Sequence, residues 1–425
     1  MSNNLMNILS ESLIFTGAGF SKPAGCKLSN EMLEDLKQRS FDESDNSIFS
    51  KSERKAIKFI LSCLDYQAKF RSLDSNGKYV YNPNIEEFAQ LLRKIKNREN
   101  LLPYPVTGNW SDKILTIEQE YNVEKKNSET DIYTSIEQQI LKDCYPQWLL
   151  YNTKESKNSE YLKPFKDLLK NLEKDIKLEI FTLNNDTILE DYFLDENAVY
   201  TGFVSNKWVG FEKYSIDENT YNASRINLCK LHGSINWSRL TDGTIIKSNN
   251  SNEYNRNGEN IEIEPLLIFG HGTKIYTIEP FFSLLEYFKR KLREKKYFLI
   301  IGYSFFDPHI NNLIFNELST FLDKLMIIIN PKFLDNTIDK DFETDNTTEL
   351  KILSKNKKNE FVDYLSNIQN SPIYTELPEF NIKRISSESF EYLGHTTDDF
   401  IGKIKNVMNF ISDVSKKKKK EIDIF

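Results

Sequence analysis

Residues that suit binding and catalysis follow several short apolar runs of the sequence. They are Gly17, Ala18, Gly19 and Ser21, then Thr182, Asn184 and Asp186, then His232, then Gly270, and lastly Gly302 and Ser304. Glycine lets a backbone approach a ligand closely, and amide hydrogens at a strand-to-helix turn can point at a phosphate. Asparagine and aspartate can hydrogen-bond ribose hydroxyls or orient a water, and histidine can accept a proton near neutral pH. Each motif also has an ordinary interpretation, because Gly-Ala-Gly forms tight turns and a lone histidine is often structural.

The apolar runs that precede these residues predict the strands that must position them. Strands are predicted over 12–18, 178–182, 226–231, 266–269, 297–301 and 325–329. Continuous Ile, Leu and Phe runs separated by helical patterns are typical of a parallel sheet covered on both faces. The carboxyl ends of parallel strands share one edge, where ligands bind, so the polar residues are expected to meet there. The predicted fold class is α/β, a Rossmann-like doubly wound parallel sheet.

A long region between the first two predicted strands, about 45–175, has hydrophobic residues at helical spacing. We interpret it as a large helical insertion, which is either a lid or oligomer surface, or a layer that packs on the sheet. Residues 241–260 are polar and rich in asparagine and are expected to form a loop. One domain is predicted over 1–335, followed by a mixed or helical extension over 336–425 with a helix over 398–412 and a basic tail.

Composition limits the classes of function. The net charge of −7 argues against a dedicated nucleic-acid binder. No apolar run reaches the length of about 18 residues that a membrane helix needs, and no secretory signal is visible. The four cysteines are scattered and no Cys-x-x-Cys pair exists, so we expect no disulfide framework and a cytoplasmic protein. No cluster of His, Cys and Asp has metal-ligand spacing, so we expect no metal.

The motifs, in this order, resemble those of the sirtuin (silent information regulator) family. The stretch 17–21 resembles its Gly-Ala-Gly-x-Ser, 182–186 its Thr-x-Asn-x-Asp, 231–233 the surroundings of its catalytic histidine, 265–270 its Pro-x-x-x-Phe-Gly strand, 302–304 its Gly-Thr-Ser, and Asn330 its late asparagine. The resemblance covers about 10–35 and 175–335.

The departures from the family are equally specific. Family deacylases carry four zinc cysteines just after the histidine, whereas Cys229 is the last cysteine here. Ser21 is followed by Lys-Pro-Ala-Gly instead of a Pro-Asp-Phe-Arg stretch, and about 165 residues separate Gly19 from Asn184. The stretches 231–237 and 301–308 are instead similar to a zinc-free bacterial branch, whose sirtuin-like domains act as NAD-consuming effectors of anti-phage defence.

The resemblance implies that NAD is the substrate, that no zinc is bound, and that the nicotinamide–ribose bond is cleaved. Loss of nicotinamide leaves an oxocarbenium-like centre, as in glycoside hydrolysis. Asn184 would position a water or the ribose, Asp186 would hold the ribose or Asn184, and His232 would be the general base. The residues expected to bind NAD are Gly17, Ala18, Gly19, Ser21, Thr182, Gly270, Gly302, Ser304 and Asn330.

The activity would be toxic without control, so we expect gating by homo-oligomerisation, by a partner such as an ATPase, or by a phage-derived trigger. Two alternatives remain open, an NAD-dependent protein deacylase in the same fold and a non-catalytic NAD or nucleotide sensor. The aromatic side chains of Trp237, Phe305 and Phe306 either stack on nicotinamide or adenine or pack in the core. Asp307 is expected to cap the helix that follows it.

Overall fold

The computed structural model describes residues 3–71, 83–99, 102, 108, 111–126, 129–151, 158–170, 172–173, 176–194, 198–212, 224–247, 253–256, 259–270, 278–305, 307–320, 324–329 and 390–393. The chain divides into two compact units. The first, here called the sheet unit, comprises Met1–Gly25, Lys157–Leu266 and Tyr276–Phe425. The second, the helical unit, comprises Cys26–Ser156 and Leu267–Ile275.

A seven-stranded parallel sheet is the centre of the sheet unit. Its strands are β1 (Ser12–Thr16), β2 (Leu178–Thr182), β3 (Val199–Tyr200), β6 (Ile226–Lys230), β11 (Tyr297–Ile301), β12 (Leu325–Ile329) and β13 (Phe390–Leu393). They lie in the order β13-β12-β11-β1-β2-β6-β3. Apart from the edge strand β3, this is the 3-2-1-4-5-6 order of a Rossmann fold. The predicted fold class is therefore confirmed.

The central strands are apolar because both faces of the sheet are covered. Every residue of β1 and of β2 is buried. The helices of this unit are α1 (Asn3–Ser10), α2 (Ala18–Ser21), α9 (Lys163–Lys170), α10 (Ile188–Tyr192), α11 (Phe281–Glu294) and α12 (Pro308–Thr320). On α11, Leu284, Phe288 and Leu292 repeat at helical spacing and are fully buried. Runs that are hydrophobic throughout are what a sheet buried on both faces requires.

The chain reverses its direction of winding between β1 and β11. From β1 it continues outward to β2 and β6, and it later returns to β11 and continues the other way to β12 and β13. In doubly wound sheets, the crevice at such a switch point is where ligands bind.

A second sheet of six strands, antiparallel in four of its pairings, was not predicted. Its order is β4-β5-β8-β7-β10-β9, with β4 (Phe203–Val204), β5 (Lys207–Trp208), β7 (Gly233–Leu240), β8 (Ile245–Lys247), β9 (Glu253–Arg256) and β10 (Glu259–Leu267). The expectation of a loop over 241–260 was wrong, because this stretch contains β8, β9 and the start of β10. An Asp242-Gly243 turn joins β7 to β8, and Ile245 and Ile246 of β8 are buried. The predicted strand over 266–269 is also corrected, since β10 ends at Leu267 and belongs to this second sheet.

The helical unit contains α3 (Ser29–Ser40), α4 (Lys51–Arg71), α5 (Ile85–Lys96), α6 (Ser111–Glu124), α7 (Ile132–Gln139) and α8 (Tyr145–Trp148). Helix α5 shows why these residues form helices. Asn84 caps it by accepting from the amides of Glu86 and Glu87, and Phe88 and Leu92 recur on its buried face. As predicted, a large helical insertion separates β1 from β2, and its first helix already begins at Ser29.

No helix in the described parts of the chain has the length and apolar character needed to span a bilayer. The predicted helix over 398–412 and the basic tail lie outside the described residues. Within 336–425, the strand β13 pairs in parallel with β12, so part of that extension completes the sheet.

Candidate active site

Four paired residues form a row across the parallel sheet. Ile301 of β11 pairs with Thr16 of β1, Thr16 pairs with Thr182 of β2, and Thr182 pairs with Lys230 of β6. Beyond this row the chain continues into the predicted motifs at 302–304, 17–21, 184–186 and 232. The structure therefore brings four of the predicted motifs to one edge of one sheet.

The side chain of Asn184 is fixed against the first glycine-rich loop. Its Nδ2 donates to the carbonyl of Gly17 at 2.9 Å and to Oγ of Ser21 at 3.0 Å. Its backbone amide donates to Oγ1 of Thr182 at 3.0 Å, and that hydroxyl donates to the carbonyl of Thr16. Both amide hydrogens are thereby used, and Oδ1 is the atom that can accept from a water or a ribose hydroxyl.

Asp186 is buried, with 7% of its surface exposed. Its Oδ1 accepts from the amide of Ile188 at 3.1 Å, and its side chain also hydrogen-bonds Ser21. Burial raises the pKa of Asp186, and the Lys230 ammonium and the Ser21 hydroxyl oppose that rise by stabilising the ionised form. Because Ser21 contacts both Asn184 and Asp186, Asp186 supports Asn184 through the serine hydroxyl.

Lys230 is a member of the site that sequence analysis missed. It is 1% exposed, and its Nζ donates to Glu190 Oε1 at 3.0 Å, to Ser234 Oγ at 2.7 Å and to the carbonyl of Asp186. The ammonium compensates the charge of neighbouring buried carboxyl groups, which would otherwise be costly to ionise. The available signal was a lysine that ends an otherwise mostly apolar strand.

His232 lies at the end of β6, beside the end of β2. Nδ2 of Asn185 donates to the carbonyls of His232 at 2.8 Å and Gly233 at 3.1 Å, which ties the histidine backbone to the residue after Asn184. The imidazole Nε2 lies 3.0 Å from Oδ2 of Asp307, and the two side chains are only 14% and 6% exposed.

Asp307 caps α12, as predicted. Its Oδ1 accepts from the amides of His309 at 2.9 Å and Ile310 at 3.1 Å. Its second oxygen faces His232, which the sequence did not indicate, because the contact joins residues 75 positions apart.

The two glycine-rich loops at the switch point contact each other. The amide of Gly17 donates to the carbonyl of Ile301, and that of Gly19 donates to the carbonyl of Gly302, both at 3.0 Å. A Cβ on Gly17 would lie 2.7 Å from the Gly302 carbonyl oxygen. The expectation that these two amides point at an anion was wrong, since the loops use them for each other. The roles of 17–21 and 302–304 in binding NAD stay predictions.

Other predicted residues lie elsewhere. Gly270 is in the helical unit, where its amide donates to Glu86. Asn330 and Phe306 lie outside the described residues. Trp237 and Phe305 are fully buried, Trp237 against Phe203 and Phe305 against Tyr303, so core packing accounts for both.

A small recess with a cavity volume of about 10 Å³ adjoins Asn184. It is lined by Thr16, Phe20, Ser21, Thr182, Asn184, Asp186, Leu189, Glu190, Leu228 and Lys230. A larger cavity of about 440 Å³ lies between α11 and residues 208–212, and none of the predicted site residues lines it. Among the described residues, no group of three or more His, Cys, Asp or Glu side chains is arranged to hold a metal ion.

Comparison with known families places this edge of the sheet in context. Residues 178–349 match the model of the SIR2-like domain. The match covers less than half of the chain and begins at β2. It contains the motifs from Thr182 to Asn330, while the motif at 17–21 lies before it. The matched stretch is thus similar to SIR2-like domains, in agreement with the resemblance of the motifs.

Solved structures of Sir2 homologues also align with the chain. One is described as a Sir2 homologue in complex with NAD, with 11% identity, coverage of 97% of this chain and 95% of that chain, and a TM-score of 0.36. Another is a mutant Sir2 homologue with 2'-O-acetyl ADP-ribose, with 11% identity, coverage of 99% and 98%, and a TM-score of 0.34. No curated protein matches the chain. The strand order, and not these likenesses, defines the fold.

Proposed function

We propose that this protein hydrolyses NAD+ at the bond between nicotinamide and ribose. The observation that carries the proposal is the position of Asn184 and His232. Each lies two residues beyond the paired Thr182 and Lys230 on adjacent strands, so both are at the carboxyl edge of the sheet. An amide oxygen that orients a water and an imidazole that accepts its proton are the groups such a hydrolysis needs.

The residues divide the chemistry between them. Departure of nicotinamide leaves positive charge on the ribose, and a water held by Asn184 attacks that centre. His232 takes a proton from the water or from a ribose hydroxyl. Asp186 and Ser21 keep the Asn184 amide in place through the contacts described above.

The recess limits what part of NAD it can enclose. Pockets that bury a drug-sized ligand measure about 300–1,000 Å³, whereas this recess has a cavity volume of about 10 Å³, close to the minimum that one water needs. The recess has room for the attacking water and not for a ribose, and its polar lining suits that water. The NAD molecule would lie outside it, along the loops at 17–21 and 302–304.

The test is release of nicotinamide from NAD alone, without an acyl peptide. Because a positioned base contributes about 10²–10⁴ in rate, His232→Ala should lower kcat by that factor, and Asn184→Ala should lower it comparably. Asn312→Ala, in α12 and outside the site, is the control and should retain the activity of the unmodified protein.

Two results would contradict the proposal. Release that requires an acyl-lysine peptide would indicate a deacylase. Saturable NAD binding without any nicotinamide release, with candidate partners present, would indicate a sensor.

We further propose, from the resemblance to the zinc-free bacterial branch, that the activity depletes cellular NAD in abortive infection. Homo-oligomerisation, an ATPase partner or a phage-derived trigger would gate it. Cells that express the protein should lose NAD after phage infection, and cells that express His232→Ala should not. NAD loss that is the same in uninfected cells would exclude gating by infection.

A further inference from the structure

The imidazole of His232 and the start of α12 share one carboxyl group. Oδ2 of Asp307 lies 3.0 Å from His232 Nε2, while Oδ1 accepts from the amides of His309 and Ile310. The carboxyl group therefore cannot rotate without loss of the helix cap. Because Oδ1 is held by the two helix amides, the position of Oδ2 is fixed. The His232 ring is therefore held in the orientation that points Nε2 at Oδ2.

The backbone just before Asp307 has a left-handed conformation that residues other than glycine seldom adopt. Phe305 has a φ of +57° and is fully buried. Nδ2 of Asn311 donates to its carbonyl at 2.6 Å, and the Tyr303 hydroxyl donates to Oδ1 of Asn311 at 2.8 Å. Such a conformation persists only where its surroundings determine it. Helix α12, which Asp307 caps, thus also supplies Asn311, the residue that holds the turn before Asp307.

We propose that Asp307 is a positioning residue that fixes the orientation and the tautomer of His232. A carboxylate is only an acceptor, so it selects the tautomer that carries hydrogen on Nε2 and has its basic lone pair on Nδ1. The catalytic consequence rests on the proposed function, in which Nδ1 is the atom that takes the proton. The same pairing links His232 to the loop at 302–305, which also contacts the loop of Gly17 and Gly19.

Asp307→Asn separates this role from the cap. Asparagine caps helices about as well as aspartate, so the start of α12 should be kept. The amide can present either its oxygen or its NH2 group to the imidazole, so the tautomer is no longer fixed. The carboxylates that orient metal-bound histidines are typically worth about 10–100-fold. By analogy, kcat for nicotinamide release should fall by about that factor, while KM for NAD changes less than about threefold.

Two further variants complete the kinetic test. Asp131→Asn is the matched control, because Asp131 caps α7 through the amides of Tyr133 and Thr134 and lies in the helical unit. It should leave kcat unchanged. The double variant Asp307→Asn with His232→Ala should be no slower than His232→Ala alone, since Asp307 acts through the histidine. Additive losses, or an unchanged kcat in Asp307→Asn, would overturn the proposal.

A spectroscopic measurement makes the test independent of NAD. In protein labelled with ¹⁵N-histidine, long-range ¹H–¹⁵N spectra at alkaline pH distinguish the two neutral tautomers, and His232→Ala identifies the signals of His232. The unmodified protein should show His232 with hydrogen on Nε2, and Asp307→Asn should show a mixture. A His232 ring with hydrogen on Nδ1 in the unmodified protein would overturn the assignment. The expected spectra in a protein that releases no nicotinamide would uphold the positioning role and reject the proposed function.

Discussion

At the scale of single residues, the chemistry at the sheet edge depends on how buried charges are compensated. Asp186 lies beside Glu190. The ammonium of Lys230 donates to the backbone carbonyl of Asp186 and to the carboxylate of Glu190. Burial still raises the pKa of Asp186 above its ordinary value. The folded protein thus binds a proton at this carboxyl group more tightly than the unfolded chain does. The contribution of Asp186 to the free energy of unfolding accordingly falls as the pH rises from about 3.8 through the raised pKa.

Asp186→Asn should remove this penalty. Relative to the unmodified protein, the free energy of unfolding of the variant should increase as the pH rises from about 4 toward neutrality, because only the unmodified protein must ionise a buried carboxyl group. Urea denaturation at a series of pH values measures the difference. A difference that stays constant across this range would show that the pKa is not raised.

Asp42→Asn should change the pH dependence of the free energy of unfolding in the opposite direction to Asp186→Asn. The backbone amide of Ser44 lowers the pKa of the exposed Asp42, so ionised Asp42 stabilises the folded state above a pH of about 3.8 and loses that effect as the pH falls. Its variant should therefore be the less stable protein at neutral pH, and the deficit should vanish in acid.

At the scale of elements, two glycines, one in the loop that follows β11 and one in the turn between β7 and β8, are needed for different reasons. Gly302 has a φ of +61°, a left-handed conformation that costs other residues about 1–2 kcal/mol. A Cβ there would also lie 2.5 Å from the amide nitrogen of Phe20 and 2.6 Å from the carbonyl carbon of Gly19. Gly243, in the turn between β7 and β8, has a φ of +85° but nothing within 4 Å of a Cβ.

Comparison of Gly302→Ala with Gly243→Ala should separate strain from crowding. Gly243→Ala should lower the free energy of unfolding by about 1–2 kcal/mol through strain alone. Gly302→Ala should cost about 1–3 kcal/mol more, because the β1 and β11 loops must move apart. Urea denaturation measures both variants. Equal losses would mean that the two loops can separate without cost.

The strands that could be predicted from the sequence are those buried on both faces of the sheet. Strands β2, β11 and β12 have the predicted bounds, because a strand covered on both faces is a continuous apolar run. The second sheet was not predictable in this way. Strand β9 reads Glu-Tyr-Asn-Arg, which carries no apolar pattern, and it pairs with β10 through backbone groups.

Much of the candidate site was also predictable, because each strand end carries a glycine or a polar residue at the shared edge. The contacts within the site were not. The amides of Gly17 and Gly19 are used by a loop almost 300 residues away, and Lys230 and Asp307 have their roles only because other strands bring partners to them. Such pairings are properties of the folded chain and have no local sequence signal.

At the scale of the whole molecule, the cysteines report on the two units separately. All four are buried thiols. Cys229 lies in β6 of the sheet unit, whereas Cys63 and Cys144 lie in the helical unit. Burial raises the pKa of Cys63 and of Cys144 to about 12, and it raises that of Cys229 well above its ordinary value. Because the thiolate is the reactive form, each cysteine should react only when its own unit opens.

Labelling of Cys229 should therefore measure NAD binding with little turnover. The His232→Ala variant should consume NAD about 10²–10⁴-fold more slowly. In that variant, a ligand bound to the sheet unit stabilises its folded state by RT ln(1 + [L]/Kd), about 2.7 kcal/mol at 100 Kd. Where opening is in rapid equilibrium, alkylation of Cys229 in mild urea should slow by up to about 100-fold at that NAD concentration. Peptide mass spectrometry resolves Cys229 from Cys63 and Cys144, and Asn312→Ala in the same background should give the same protection. Unchanged labelling of Cys229 at saturating NAD would mean that the edge of the sheet at Asn184 and Lys230 does not bind the dinucleotide.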